Sequence, residues 1–232
     1  ETNSFTFADD MYYGDRDVNY DSKEANELSY NTFMQGEYDE NDFNDGWTMC
    51  YRGIYQASVF IANIYRNNEM TEKERLDFKG QARFVRAYFY WLLLRRYGPV
   101  PIMPDEGVDY TKSYEQIATP RSSYEEVANY ISREMVQAAK EIQYTKRDGE
   151  NIARPTKGAC LATRALALIY AASPLANGNR DAYAKQLVDD KGRALLNADY
   201  KEEKWARAAS ACKDVMQLGV YDLYHASFST TD

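Results

Sequence analysis

The chain has 232 residues, 44% of them hydrophobic and 28% charged, a composition suited to a soluble globular protein with one sizeable core. Its net charge of −8 argues against nucleic acid, whose phosphates demand a basic stripe. The longest apolar run, Tyr88 to Leu94, is far too short to cross a bilayer.

The acidity is local. Residues 1–46 carry 13 acidic side chains against Arg16 and Lys23, a net of −11, which leaves +3 for the other 186 residues. Residues 1–44 hold no sustained period and are rich in Asp, Asn, Tyr and Gly, so they read as loop with a short helix at Ser22 to Tyr30. Within them Asp15, Asp17, Asn19 and Asp21 set oxygen ligands at alternate positions, as calcium loops do. Tyr20 stands where an EF-hand needs glycine, and Asn26 where it needs a bidentate glutamate. The segment therefore reads as a solvated acidic loop, with a calcium site of unusual geometry as the alternative. No other cofactor or metal is expected.

The chain holds 21 Tyr and a single His. Tyrosine beyond the needs of a core marks surfaces that stack on polar ligands, because the ring is apolar and its hydroxyl hydrogen-bonds. Tyr12, Tyr13, Tyr20, Tyr30, Tyr38 and Phe43 lie among Asp, Asn and Arg16, ahead of Trp47. A sugar ring has apolar faces and polar edges, and such a mixture satisfies both. Tyr12, Tyr13, Arg16, Tyr38 and Trp47 are the candidate ligand-binding residues. The alternative for any one ring is that it pins the loop to the core.

From about Asp45 the periodicity turns helical. Trp47, Cys50, Tyr51, Ile54, Ser58, Ile61 and Tyr65 share one face of a helix ending near Asn68. A second helix starts on the capping box Thr71–Glu74 and stops at Gly98-Pro99, close enough to the first to form an antiparallel hairpin. Residues 99–120 hold four prolines and read as a long ordered loop, a kind that usually carries function. A third helix opens at Ser122-Ser123, with the stripe Val127, Ile131, Met135, Ala138 and Ile142. The fourth, capped by Thr156, is apolar nearly all round as far as Ser173-Pro174 and is expected at the centre. A polar connection, Asn177 to Glu202, leads to a fifth helix with Trp205, Ala208, Ala209, Cys212, Val215 and Met216 on one side. Cys50, Cys160 and Cys212 all fall on apolar faces and read as buried thiols. No segment alternates with period two, so the fold class is all-α. The step from 123 to 156 is close to the tetratricopeptide period of about 34 residues.

Catalytic chemistry is sparse. Ser-His and Cys-His nucleophiles need a histidine, and the only one is His225 in the tail. HExxH, GxSxG and phosphate-binding glycine runs are absent from the sequence. Paired-carboxylate chemistry stays open, because 36 acids offer many pairs.

Five blocks carry a family resemblance. Trp47 to Ile64 (WTMCYRGIYQASVFIANI) resembles the W..CYRGI..AN.FI.NI helix of the SusD/RagB family, and Gly80 to Ile102 (GQARFVRAYFYWLLLRRYGPVPI) its G.A.F.RA..Y..L...YG.VP helix and loop. Pro120 to Ile131, Arg154 to Gly178 and Trp205 to Tyr224 follow in the family's order. The resemblance implies an irregular tetratricopeptide-like set of antiparallel helix pairs with long ordered loops. It implies a non-catalytic, surface-exposed outer-membrane lipoprotein of Bacteroidota, which captures oligo- or polysaccharides for a SusC-like TonB-dependent transporter. A peptide-binding RagB-type lid or a generic tetratricopeptide adaptor is the alternative, and a helical glycoside hydrolase the third reading. Family members are about twice this long, so the expected organisation is an acidic, Tyr-rich loop segment of the same domain at 1–44, a helical scaffold at 45–224, and a tail at 225–232 preceding a missing C-terminal half. The lipid anchor would lie on an N-terminal segment outside this chain, which starts without methionine. No ligand residue carries over by motif, so the five named above rest on the residue chemistry alone.

Overall fold

A helix leaves its first amide groups without partners, and three helices here begin where a side chain supplies one. In the computed structural model, residues 46–106, 108–109, 111–149 and 152–224 are described. They form α1 (Gly46–Asn63), α2 (Glu72–Tyr97), α3 (Tyr114–Ile117), α4 (Tyr124–Glu141), α5 (Lys157–Ala172), α6 (Ala182–Gln186) and α7 (Glu203–Met216). At α2 the Thr71 hydroxyl accepts from the Glu74 N–H, and the Glu74 carboxylate accepts from the Thr71 N–H at 2.8 Å. Ser123 and Glu126 repeat the box at α4, and the Thr156 hydroxyl caps α5 through the Ala159 N–H. At the far end of α2, Gly98 takes φ 69° and returns its N–H to the Leu94 carbonyl, a backbone conformation that strains any side chain.

α1 and α2 form the antiparallel hairpin that their short connection predicts. Contacts run Trp47 to Tyr97, Tyr51 to Tyr90, Ser58 to Arg86 and Tyr65 to Lys79, descending on one helix as they ascend on the other. Gly53 makes this closeness possible, since a Cβ there would sit 2.3 Å from the Phe89 ring. α2 then packs on α4, α4 on α5, and α5 on α7, a tetratricopeptide-like stack of helices. Every member of the predicted α4 stripe is buried, from Val127 to Ile142. Together with Ile54, Tyr90, Leu93 and Leu94 these side chains make the main core. Each such apolar side chain contributes about 1.5–3 kcal/mol relative to an exposed one. The described residues are all-α apart from two isolated bridges, Asn177–Asn197 and Val188–Ala194. The polar connection after α5 is ordered by Asn177, which donates to the Ala172 and Lys201 carbonyls and accepts from the Lys201 N–H.

Three expectations shift. α1 gives way to a 3-10 turn at Ile64–Arg66, which carries Tyr65 outward, beneath the Lys79 ammonium. α5 lies between α4 and α7, yet Leu166 and Tyr170 are exposed, because neighbours on two sides do not cover a helix all round. α7 is rotated from its expected face. Its buried residues are Lys204, Ala208 and Ala211, whereas Trp205 is 41% exposed and Met216 lies outside. The cause is long-range: the Lys204 ammonium reaches the Glu125 carboxylate at 3.3 Å, and that carboxylate also accepts from Asn197. Two alanines then meet Ala165 and Leu168 of α5. Cys50 and Cys160 are buried, and Cys212 is half-buried.

The core between α2 and α4 is ionic at its centre. Arg86 is 1% exposed and Glu134 4%. The Glu134 Oε2 accepts from Arg86 Nη2 at 2.6 Å and from Arg83 Nη1 at 2.7 Å, while Arg83 Nε reaches Glu141 at 3.1 Å. Burial alone would raise the Glu134 carboxyl, but hydrogen bonds and charge from the two guanidinium groups outweigh it and hold the group below its ordinary range.

Removing Glu134 leaves two guanidinium groups buried without their shared anion, so Glu134→Ala is expected to lose about 3–5 kcal/mol in urea unfolding. The depressed carboxyl contributes stability that is complete above its unfolded value of about 4.3 and is lost as pH falls through the folded value. Acid titration of the melting temperature should show this loss in the native chain and not in Glu134→Gln. Gly53→Ala forces the Phe89 ring out of place and should cost about 1–3 kcal/mol by the same unfolding measurement.

Candidate functional site

The residues expected to bind ligand divide at the boundary of what is described. Tyr12, Tyr13, Arg16 and Tyr38 lie outside the described residues, as do Asp15, Asp17, Asn19 and Asp21 of the calcium-like segment and the single histidine, His225. Trp47 lies inside them, in the first turn of α1 and 37% exposed. Its ring meets Tyr97 edge-on at 5.2 Å and is tilted against Tyr51 at 4.9 Å. Tyr51 meets Tyr90 edge-on, and Tyr90 meets Tyr130 in the same way at 4.9 Å. One column of aromatic edges therefore runs from Trp47 into the core, and it fixes the tryptophan's position from beneath.

The same tyrosines hold the long loop. Tyr51 donates its hydroxyl to the Pro101 carbonyl at 2.8 Å, the Tyr90 hydroxyl accepts from the Met103 N–H at 2.8 Å, and Tyr130 donates to the Asp105 carboxylate at 2.9 Å. Three phenols from α1, α2 and α4 thus grip residues 101, 103 and 105. Arg86 adds an ion pair to Asp105 at 3.3 Å. The loop comes back beside its own start, with Arg121 donating to the Pro99 carbonyl and the Ser122 N–H to the Val100 carbonyl. Its ends are close and anchored, and its outer part bears α3 with Tyr114 at 77% exposure. Surface loops anchored at their base frequently carry function. Burial pushes the Tyr90 hydroxyl up to about 12 and the Tyr51 and Tyr130 hydroxyls up as well, so all three stay neutral donors or acceptors.

An exposed indole with its edges fixed can stack on the apolar face of a sugar or peptide group. The carboxylates of the ionic core are poorly suited to hydrolysis. Glu134 and Glu141 share Arg83, both are buried, and Glu134 is held ionised, whereas a glycosidase's general acid needs a raised value. Among the described residues no three His, Cys, Asp or Glu side chains gather as a metal site would require. The sequence reading missed the loop clamp and its arginines. The available signal was Arg83 and Arg86, two cations within an otherwise aromatic helix run.

Residues 6–170 match the family described as SusD-like, starch-binding and associating with the outer membrane. A 58-residue stretch is 31% identical to the SusD-like protein P25 of Formosa agariphila, covering 25% of this chain and 11% of that one. Among solved structures, BT4246 superposes with a TM-score of 0.72 at 24% identity, over 82% of this chain and 32% of that chain. The SusD homolog of Bacteroides thetaiotaomicron superposes at 0.61 and 21% identity, over 84% of this chain and 34% of that chain. The surface glycan-binding protein A of Bacteroides uniformis does so at 0.58 and 17%, over 84% and 36%. The chain thus spans about a third of the length of these structures. A family match across most of the chain and a shared helical fold agree: the chain belongs to the SusD-like family.

Proposed function

We propose that this chain is the scaffold part of a non-catalytic surface protein that captures glycans at the outer membrane for a SusC-like TonB-dependent transporter. The observation that carries the reading is Trp47, a part-exposed indole positioned by Tyr51 and Tyr97 in a chain whose family is described as starch-binding. Trp47, Tyr12, Tyr13, Arg16 and Tyr38 are the proposed ligand contacts. The anchored loop base supports the reading because Tyr51 and Tyr90 fix residues 101 and 103, and pre-ordering lowers the entropic cost of binding. Repeated sugar units would add avidity. Attachment through an N-terminal lipid belongs to the same proposal.

A peptide ligand is the second reading, favoured by one feature. A groove of about 630 Å³ between α1 and α2 is lined by Met49, Phe60, Val85 and Phe89, with Arg52 and Arg154 among its polar residues. Peptides use such apolar grooves between helices.

Affinity electrophoresis through gels containing soluble starch or other neutral glycans separates these readings. Retardation by at least one glycan, without release of reducing sugar, is the expected outcome. Alanine at Tyr12, Tyr13 and Tyr38 should abolish the retardation while the melting temperature holds. No retardation by any glycan, retardation that survives those substitutions, or sugar release would contradict the proposal; binding only to peptides would favour the second reading. Tyr51→Phe removes one clamp on the loop and should cost about 1 kcal/mol of stability, seen in urea unfolding. Faster proteolytic nicking between residues 99 and 122 should accompany it.

A further inference from the structure

A second groove lies between α4 and α7. It has a volume of about 590 Å³, within the range of small-molecule sites of about 300–1,000 Å³. α4 contributes Asn129, Ser132, Arg133, Glu134, Gln137 and Lys140, and α7 contributes Arg207. Asn129, Arg133, Gln137 and Lys140 recur at helical spacing, so an amide, a guanidinium, an amide and an ammonium line one face of α4 for about 16 Å.

The charges of this groove are unevenly matched. Its one acid, Glu134, is buried and already binds Arg83 and Arg86 through Oε2. Arg133 approaches the other oxygen only to 3.7 Å and stacks over the Tyr130 ring at 5.1 Å. Arg207 is held by a neutral group, donating to the Asn129 carbonyl oxygen at 2.8 Å. Among the described residues Lys140 forms no ion pair. Behind them Arg164 donates to the Ser132 hydroxyl and is neutralised by Asp214. Arg133 thus meets a carboxylate only at 3.7 Å, and Arg207 and Lys140 form no ion pair among the described residues, so stacking, an amide and helix register do most to fix the three cations. The amides add a further requirement. Gln137 commits Nε2 to Glu141, so it offers a ligand its carbonyl oxygen, an acceptor. A fully ionised anion supplies only acceptors and leaves that oxygen unmatched, whereas a hydroxyl-bearing anion satisfies both.

We infer that the groove between α4 and α7 is a binding site for an acidic saccharide, whose sulfate or carboxylate oxygens meet Arg133, Lys140 and Arg207 while its hydroxyls meet Gln137 and Asn129. The inference rests on the glycan reading for the saccharide backbone, and goes beyond it in naming the ligand's charge and a second site.

The test is affinity electrophoresis of the full chain at low ionic strength through dextran sulfate, polygalacturonate, dextran and poly-glutamate. Dextran sulfate or polygalacturonate should retard the protein, and whichever acts identifies sulfate or carboxylate as the recognised group; dextran and poly-glutamate should not. The variant with glutamine at Arg133, Lys140 and Arg207 should bind the polyanion about tenfold more weakly or worse, as expected for lost charge-assisted hydrogen bonds, with its melting temperature unchanged. Lysine at Arg133 and Arg207 keeps the charge and should retain most of the retardation. Absence of retardation by both acidic glycans, equal retardation of the glutamine variant, or equal binding of poly-glutamate would overturn the inference. If polyanion binding depends on the three cations while no neutral glycan is captured, the inference stands and neutral-glycan capture fails.

Discussion

Glu134 accepts hydrogen bonds from two arginines inside the core, and the arrangement of the scaffold depends on that carboxylate. Burying a carboxylate costs several kcal/mol, and so does burying each guanidinium; the group is tolerable only because each charge compensates the others at 2.6–2.7 Å. Such a cluster is poor at adding stability and good at selecting one register. Sliding α4 by a turn along α2 would leave Arg86 without its anion, and no apolar contact would replace it. The apolar stripe from Val127 to Ile142 supplies the attraction between the helices, and the ionic centre decides where along α2 it acts.

The consequence reaches the loop end through Arg86. The same guanidinium that meets Glu134 pairs with Asp105, which also accepts from Tyr130. Tyr51 and Tyr90 hold the preceding alternate residues and, through their rings, the indole of Trp47. Core ion cluster, loop base and exposed aromatic are therefore one continuous set of contacts. In the proposed reading the helices fix positions and the surface beside them meets ligand.

Much of the scaffold was legible because its signals are local. Thr71 with Glu74, Ser123 with Glu126, and Thr156 each announced a helix start within four residues, and each appears as a cap. The α4 stripe was legible because one helical period separates its members. The misreadings share a cause in long-range partners. Lys204 belongs in the interior only because Glu125 and Asn197, far away in sequence, wait for it, and so the face of α7 was drawn one position too far toward Trp205. Arg83 and Arg86 interrupt an aromatic run, and their role is visible only with Glu134 and Glu141 opposite them. At the candidate site the sequence singles out Trp47 only by its neighbours, and its supports at Tyr97 and the clamp on residues 101–105 depend on chain crossings that no periodicity encodes.

The claim that capture occurs at the aromatic end, with the rest of the stack as support, can be read directly by hydrogen-exchange mass spectrometry of the full chain with and without a saturating neutral glycan. Protection is predicted in residues 1–46, the first turns of α1 and the loop base at 98–106, with α5 and α7 unchanged. Protection centred on α5 and α7, or along the groove between α1 and α2 with none near Trp47, would contradict it.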